Sequence, residues 1–519
     1  MSVSNSKRMN DTQPTPESVS SRYTVTLAAQ VLRLLVSLIT AAIVPRTLGP
    51  AIYGNYSFLL STSSTIRGLL DNGAQQAFFT FSSQERSSGP LTKLYAFVLG
   101  GQFGVVLALI GVAALTGKTN WIWHGQGLDQ IVLVTVLDWA LFLALSLQQL
   151  GDTKALTVYP QLTGAAVSLV SLGALLVLRF SGRLDFYTFV GLNLASALLI
   201  CGMLIYRFFV RNGAQFWVGA VDPRTYAKRW WKFARPLILP QYYLPLVTYL
   251  GLYLIQTWYG SVEQGYYGLA LQWSAFAMLF TTSGVSIFWR EVAHHATQDL
   301  QPTARVYEKF STLFFFLAVV LSWGLSTASE PLVRIVAGER FRGAAVVLAI
   351  MAFYPISQTI NQLSAASMKA TERTASYARW SVFLSVPDLF LTYLLLAPTT
   401  APVPGLHLGA IGMAIRTSFY GLLTAEVYDW LNCRFFKIGY LKVLIRKLAV
   451  AAAVGLLAIL LLGSGGERLQ RMGMGAVAAV SLASGAYAAS VAILVLLWPG
   501  AAGISREQLV RRVRLLGWS

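Results

Sequence analysis

Stretches of about 20 apolar residues recur along this whole chain, each long enough to cross a hydrocarbon core of ~30 Å as a helix. Lipid offers no partner to a bare backbone N–H or C=O, so only helices and closed barrels can span it, and runs of this length select helices. The balance of residue types agrees. Of 519 residues 55% are hydrophobic and 12% charged, with a mean hydropathy of +0.58. A soluble domain carries about a quarter charged residues. We read an all-α polytopic membrane protein with fourteen spans: 23–45, 55–80, 93–115, 129–150, 158–180, 186–208, 236–258, 266–289, 308–328, 343–364, 377–397, 407–430, 446–463 and 475–497.

Orientation follows from lysine and arginine, which concentrate in cytoplasmic loops. With the N-terminus inside, about 28 of the 40 fall in the tails and even-numbered loops, about 9 fall outside, and Arg33, Arg67 and Arg416 lie within spans. Both termini are therefore expected in the cytoplasm. The net charge of +19 then reflects loops beside anionic membrane lipids, and no nucleic-acid partner is expected. Residues 1–22 are polar and read as a disordered tail. The following span holds Arg33 and has no convincing cleavage site, so it reads as retained rather than as a signal peptide.

A submotif occurs twice at a constant offset of 211. Gly49, Gly54, Tyr56 and Gly73 fall on Gly260, Gly265, Tyr267 and Gly284, and Gln30 falls on Gln241. A repeat of this length predicts two similar bundles in one chain, an arrangement common among secondary transporters. We expect an N-lobe at 23–208, a basic connector at 209–235 and a C-lobe at 236–430. A basic loop with two added helices follows at 431–498, then a basic tail at 499–519. Trp217, Trp230 and Trp231 among the connector's arginines and lysines suit an anchor at the membrane interface.

Span 1 carries Thr26, Gln30, Arg33, Ser37 and Thr40 at steps of 4, 3, 4 and 3, so all five share one helix face. Span 2 carries Ser57, Ser61, Ser64, Arg67 and Asp71, with Gln75 continuing the line. Such stripes must face protein or water, which suggests a polar cavity between the bundles. A charge at mid-membrane depth costs about 2.5–3.5 kcal/mol on insertion scales. Two offsets are open for Arg33 and Arg67. One is a carboxylate, Asp71 a turn away or Asp138 in span 4. The other is an anionic substrate, whose phosphates match the guanidinium fork. Arg416 and Asp388 form a second possible pair. Asp71, Asp138 and Asp388 are candidates for ion coupling, since buried carboxylates can take up protons. Substrate-binding candidates are Arg33, Arg67, Gln30, Ser37, Ser64 and Arg416. Pro236, Pro240 and Pro245 allow span 7 to bend or break. Tyr53, Tyr56, Tyr266 and Tyr267 read as interfacial belt residues.

No phosphate loop or hydrolase motif stands out, and the loops between spans are too short for an outer domain. Cys201 and Cys433 match no disulfide framework or metal spacing, and the neighbours His294 and His295 point to opposite sides of a helix. No catalytic residue, metal or cofactor is expected.

Pro45-Arg46-Thr47-Leu48-Gly49-Pro50-Ala51-Ile52-Tyr53-Gly54-Asn55-Tyr56 resembles the stretch that ends the first span of Wzx-type polysaccharide and O-antigen flippases. Asp71-Asn72-Gly73, Glu263-Gln264-Gly265-Tyr266-Tyr267, and Glu330-Pro331-Leu332 with Gly338-Glu339-Arg340-Phe341 resemble later family motifs in the same order. The resemblance implies the multidrug/oligosaccharidyl-lipid/polysaccharide exporter superfamily, with two six-helix lobes in a V. It implies as substrate an undecaprenyl-pyrophosphate-linked oligosaccharide, turned over across a bacterial cytoplasmic (inner) membrane for O-antigen, capsule or exopolysaccharide synthesis. Polysaccharide polymerase and other assembly enzymes are implied partners. Related flippases place arginines of spans 1 and 2 in the cavity, which Arg33 and Arg67 match by helix and depth. They can also carry one in span 8, where this chain has Met278 opposite Arg67 in the repeat. The resemblance also implies that spans 13–14 hold a lipid tail. Two other readings remain: an exporter of another small molecule, which would want acidic cavity residues, and a membrane enzyme of polysaccharide assembly, which would want a larger outer loop.

Overall fold

The computed structural model describes residues 19–84, 89–153, 156–211, 223–235, 238–296 and 300–503, and among these there is no strand. The terminal tails and the side chains of His294 and His295 lie outside the described residues, as do Trp217 and Pro236. The first half comprises α1 (Val19–Leu48), α2 (Pro50–Asp71), α3 (Ala74–Gln84), α4 (Gly89–Leu115), α5 (Leu128–Thr153), α6 (Val158–Phe180) and α7 (Phe186–Ile205). The connector forms α8 (Pro223–Ala234). The second half comprises α9 (Ile238–Trp258), α10 (Gly260–Ala296), α11 (Leu300–Thr327), the short α12 (Ser329–Leu332), α13 (Ala344–Met351), α14 (Tyr354–Ala370), α15 (Thr374–Leu396), α16 (Gly409–Ile415) and α17 (Gly421–Phe435). Then come α18 (Tyr440–Ala458), α19 (Gly466–Arg471) and α20 (Ala476–Leu497).

Ten segments among the described residues are helices long and apolar enough to cross a membrane. The expected spans 55–80, 236–258, 266–289 and 407–430 form helices outside those ten. Of these, α2 and α10 lie against each other. A helix covered by protein does not need a lipid-compatible surface.

The two copies of the repeat meet. Gly49 and Gly260 turn the chain with φ of +78° and +77°, a region that favours glycine. The helices that follow, α2 and α10, cross at Gly54 and Gly265. A methyl group on Gly54 would lie 1.8 Å from the Ser261 carbonyl oxygen, and one on Gly265 would lie 2.1 Å from the Pro50 carbonyl oxygen. Pro50 and Ser261 are themselves 211 apart, so each glycine packs on the residue four before the other. Around this crossing the halves are stitched by polar contacts. Asn55 Oδ1 accepts from Ser261 at 2.5 Å across the joint and from Gln126 at 2.9 Å within its own half, and Tyr249 donates to the Ile122 carbonyl at 2.7 Å. Tyr53 donates to Gln272 at 2.6 Å across the joint, while Tyr267 meets the Thr417 hydroxyl at 3.2 Å within the second half. Both tyrosines are buried, which departs from the belt placement read from the sequence. A ring whose hydroxyl finds a partner inside can join the core.

Further along, the copies diverge. The expected span 55–80 breaks where Asn72 and Gly73 adopt φ of +40° and +77°, ending α2 and redirecting α3. A methyl on Gly73 would meet the Gln241 amide at 3.2 Å. In the second copy Gly284 stays helical, α10 runs on unbroken for 37 residues, and Gly284 packs on Phe314. Span 7, where prolines allowed a break, is one continuous helix that includes Pro245. Span 12 is interrupted instead: α16 passes into a wide π-helical turn at Arg416–Tyr420 before α17.

Candidate functional site

The three arginines that the sequence places within spans have different surroundings. Arg67 on α2 reaches α5, where Nε and Nη2 donate to the two oxygens of Asp138 at 2.7 and 3.3 Å. Its guanidinium also lies 4.0 Å from the centre of the Phe142 ring. Asp71, the other partner offered by the sequence, accepts the Gln75 backbone N–H at 3.3 Å on both oxygens. It serves the α2–α3 break rather than Arg67. Arg416 opens the π-helical turn and makes the same two-pronged bond to Asp388 on α15, with Nε 2.7 Å from Oδ1 and Nη2 on Oδ2. Both side chains of that pair are 12% exposed. Each of these arginines is thus neutralised inside the protein, and a fork-to-carboxylate bond is the strongest neutral-sum arrangement a buried guanidinium can find.

Arg33 differs. Its Nη2 donates to the side-chain oxygen of Gln161 on α6, an uncharged partner, and among the described residues no carboxylate reaches it. Gly164, one turn from Gln161, leaves room for the guanidinium: a methyl there would sit 3.3 Å from Arg33 Nη1. Arg33 lines an open cavity of about 340 Å³ between α1, α5, α6 and α7, whose largely apolar wall also carries Ser37, Thr40, Gln148, Ser168 and Asn193. This falls at the lower end of the ~300–1,000 Å³ range of small-ligand pockets. Hydroxyl and amide groups around one uncompensated cation can hold an anion by charge-assisted hydrogen bonds.

The structure therefore brings together Arg33, Ser37 and Thr40 of the first stripe, in a cavity among first-half helices rather than between the two bundles. Gln30 is exposed and outside the cavity wall. Ser64 donates back to its own helix at the Ser61 carbonyl, 3.0 Å away. Arg67 and Arg416 stand apart from the cavity, held by Asp138 and Asp388. Sequence reasoning passed over α6 and α7. Gln161, Gly164, Ser168 and Ser171 step by 3, 4 and 3 along α6, the same face rule that marked α1.

No family model matches the chain. A curated protein of Haloferax volcanii, named as a probable low-salt glycan biosynthesis flippase, Agl15, is 25% identical over 173 residues, 33% of this chain. The match spans 34%, about a third, of that relative's own length. Among solved structures, the lipid II flippase MurJ in an inward closed conformation superposes with a TM-score of 0.64 at 14% identity, over 92% of this chain and 99% of MurJ. An inward-facing multidrug resistance MATE transporter of the MOP superfamily gives 0.54 at 11% identity, over 84% and 99%. The same superfamily's outward-facing MATE structure gives 0.52 at 12% identity, over 83% and 95%. The resemblance read from the sequence is borne out at the level of the fold: this chain has the helical fold of these transporters.

Proposed function

We propose that this chain is a flippase that turns an undecaprenyl-pyrophosphate-linked oligosaccharide from the inner to the outer leaflet of a bacterial cytoplasmic membrane. It acts as a secondary transporter and not as an enzyme. In this reading all fourteen helical spans cross the membrane, twelve of them as two six-helix lobes in a V, with both termini inside. The Gly54–Gly265 crossing then lies on the outer side and parts when the lobes rock open. The observation that carries the proposal is Arg33, a membrane-depth cation without a carboxylate, facing a largely apolar cavity that also presents hydroxyls and amides. A pyrophosphate entering a low-dielectric region needs compensating charge, and Arg33 supplies it without first breaking an ion pair. Arg67 and Arg416 are assigned to holding helices through Asp138 and Asp388. The glycan crosses through polar space within the protein, the lipid tail stays in the bilayer, and polymerase or other assembly enzymes receive the product. The likeness to MurJ and to the Haloferax protein supports the substrate class.

The test is reconstitution in liposomes with a short fluorescent oligosaccharide on a polyprenyl pyrophosphate. Outer-leaflet appearance is followed over time for wild type, Arg33→Lys and Arg33→Ala. Wild type should translocate faster than empty liposomes, Arg33→Lys should retain part of the rate, and Arg33→Ala should lose it. A folded wild type that moves no lipid would end the flippase reading. Equal rates for wild type and Arg33→Ala would end the role of Arg33.

A further inference from the structure

The turn between α17 and α18 carries Arg434, Lys437, Lys442, Arg446 and Lys447 within 14 residues, a run that reads from sequence as ordinary loop charge. The fold sorts these cations by depth. Lys447 points inward and is 6% exposed, with Nζ 2.7 Å from both Glu426 and Asp429. Arg446 is half-buried, donating to Thr312 at 2.6 Å and pairing with Glu308 at 3.3 Å. Lys437 and Lys442 stay exposed. Together with Arg305 of α11 and Arg446 they line a concavity of about 730 Å³, whose wall also holds Phe435 and Glu308. Four cations face one carboxylate there, and that carboxylate is already on Arg446. Lys437 holds its place with φ of +57°, a conformation usually left to glycine.

A second feature adjoins it. Leu441, Ile445 and Leu448 step by 4 and 3 along α18 and are 68%, 58% and 61% exposed. On a membrane helix such a stripe faces acyl chains. The stripe begins beside Lys442, so a phosphate pocket and a hydrocarbon track share one helix end. We propose that this concavity binds the headgroup phosphate of an anionic phospholipid whose chains lie along α18. A free phosphate would use the cations but not the track. A zwitterionic headgroup would bring its own ammonium into a wall that is already cationic. The bound lipid would bridge α11 and α18 through Arg446, one residue from the buried Lys447 pair.

The test uses the full-length protein in detergent and native mass spectrometry, with phosphatidylglycerol, phosphatidylethanolamine and inorganic phosphate as separate probes. Phosphatidylglycerol should be retained and the other two not. The variant Lys437→Ser/Lys442→Ser, altered only at exposed positions, should bind phosphatidylglycerol about thirtyfold more weakly, as expected for two lysines near an anionic surface. Arg468→Ser/Arg471→Ser, which removes two cations elsewhere, should bind as wild type. Unchanged retention by the lysine variant would overturn the proposal. So would retention of inorganic phosphate or phosphatidylethanolamine equal to that of phosphatidylglycerol.

Discussion

Arg416 in the second half and Arg33 in the first both carry a charge into the packed helices, yet one is closed and the other open. Arg416 gives both prongs of its fork to Asp388. Arg33 gives one hydrogen to Gln161 and keeps the rest of its charge facing a cavity. The cost of burying a guanidinium is met within the protein in the first case, and in the second it is left to whatever enters. A buried cation whose partner is built in holds two helices in register, and one without such a partner is free to serve a ligand.

That contrast can be broken in order of expected effect. Asp388→Ala should cost about 3–5 kcal/mol, because it strands Arg416 as an uncompensated buried charge. Denaturant or thermal unfolding in detergent measures this. Asp138→Ala should cost less, since Arg67 is 17% exposed and keeps the Phe142 ring beneath it. The double variant Asp388→Leu/Arg416→Met sharpens the point: it should return to within about 1 kcal/mol of wild type, since replacing a buried pair by apolar groups is often neutral. If the double variant is as dead in translocation as Arg33→Ala, the closed pair serves substrate too and the contrast fails. Arg33→Ala itself should lower stability by no more than about 0.5–1.5 kcal/mol, the worth of its one hydrogen bond, while translocation is lost. The smallest effect is expected at Gly164→Ala. The added methyl, 3.3 Å from Arg33 Nη1, should nudge the guanidinium and lower the translocation rate by less than about tenfold, with no change in melting.

Much of this was legible in the residues. The helical class follows from run length, and the stripe on α1 follows from steps of 3 and 4. The Arg416–Asp388 pair was one of few ways to satisfy two charges at that depth. The choice between Asp71 and Asp138 for Arg67 was not legible. It depends on a break after Asp71 that turns its carboxylate to a backbone N–H, and on α5 lying beside α2. Gln161 is 128 residues from Arg33, and no local spacing reports such a contact. Lys447 looked like loop charge because its partners, Glu426 and Asp429, lie on another helix. The repeat told that two copies exist, but not that they touch at their own glycines.

That last contact has a consequence for how such a chain arises. The joint asks only for a glycine four residues beyond an exposed carbonyl on each of two helices, and both conditions sit in one short segment. Its geometry is that of a two-fold dimer interface, where a patch meets its own copy. A gene carrying that segment once encodes both sides of the joint. Duplication and fusion would therefore deliver a fitted pair of halves at once, with no matching change to be found elsewhere in the sequence.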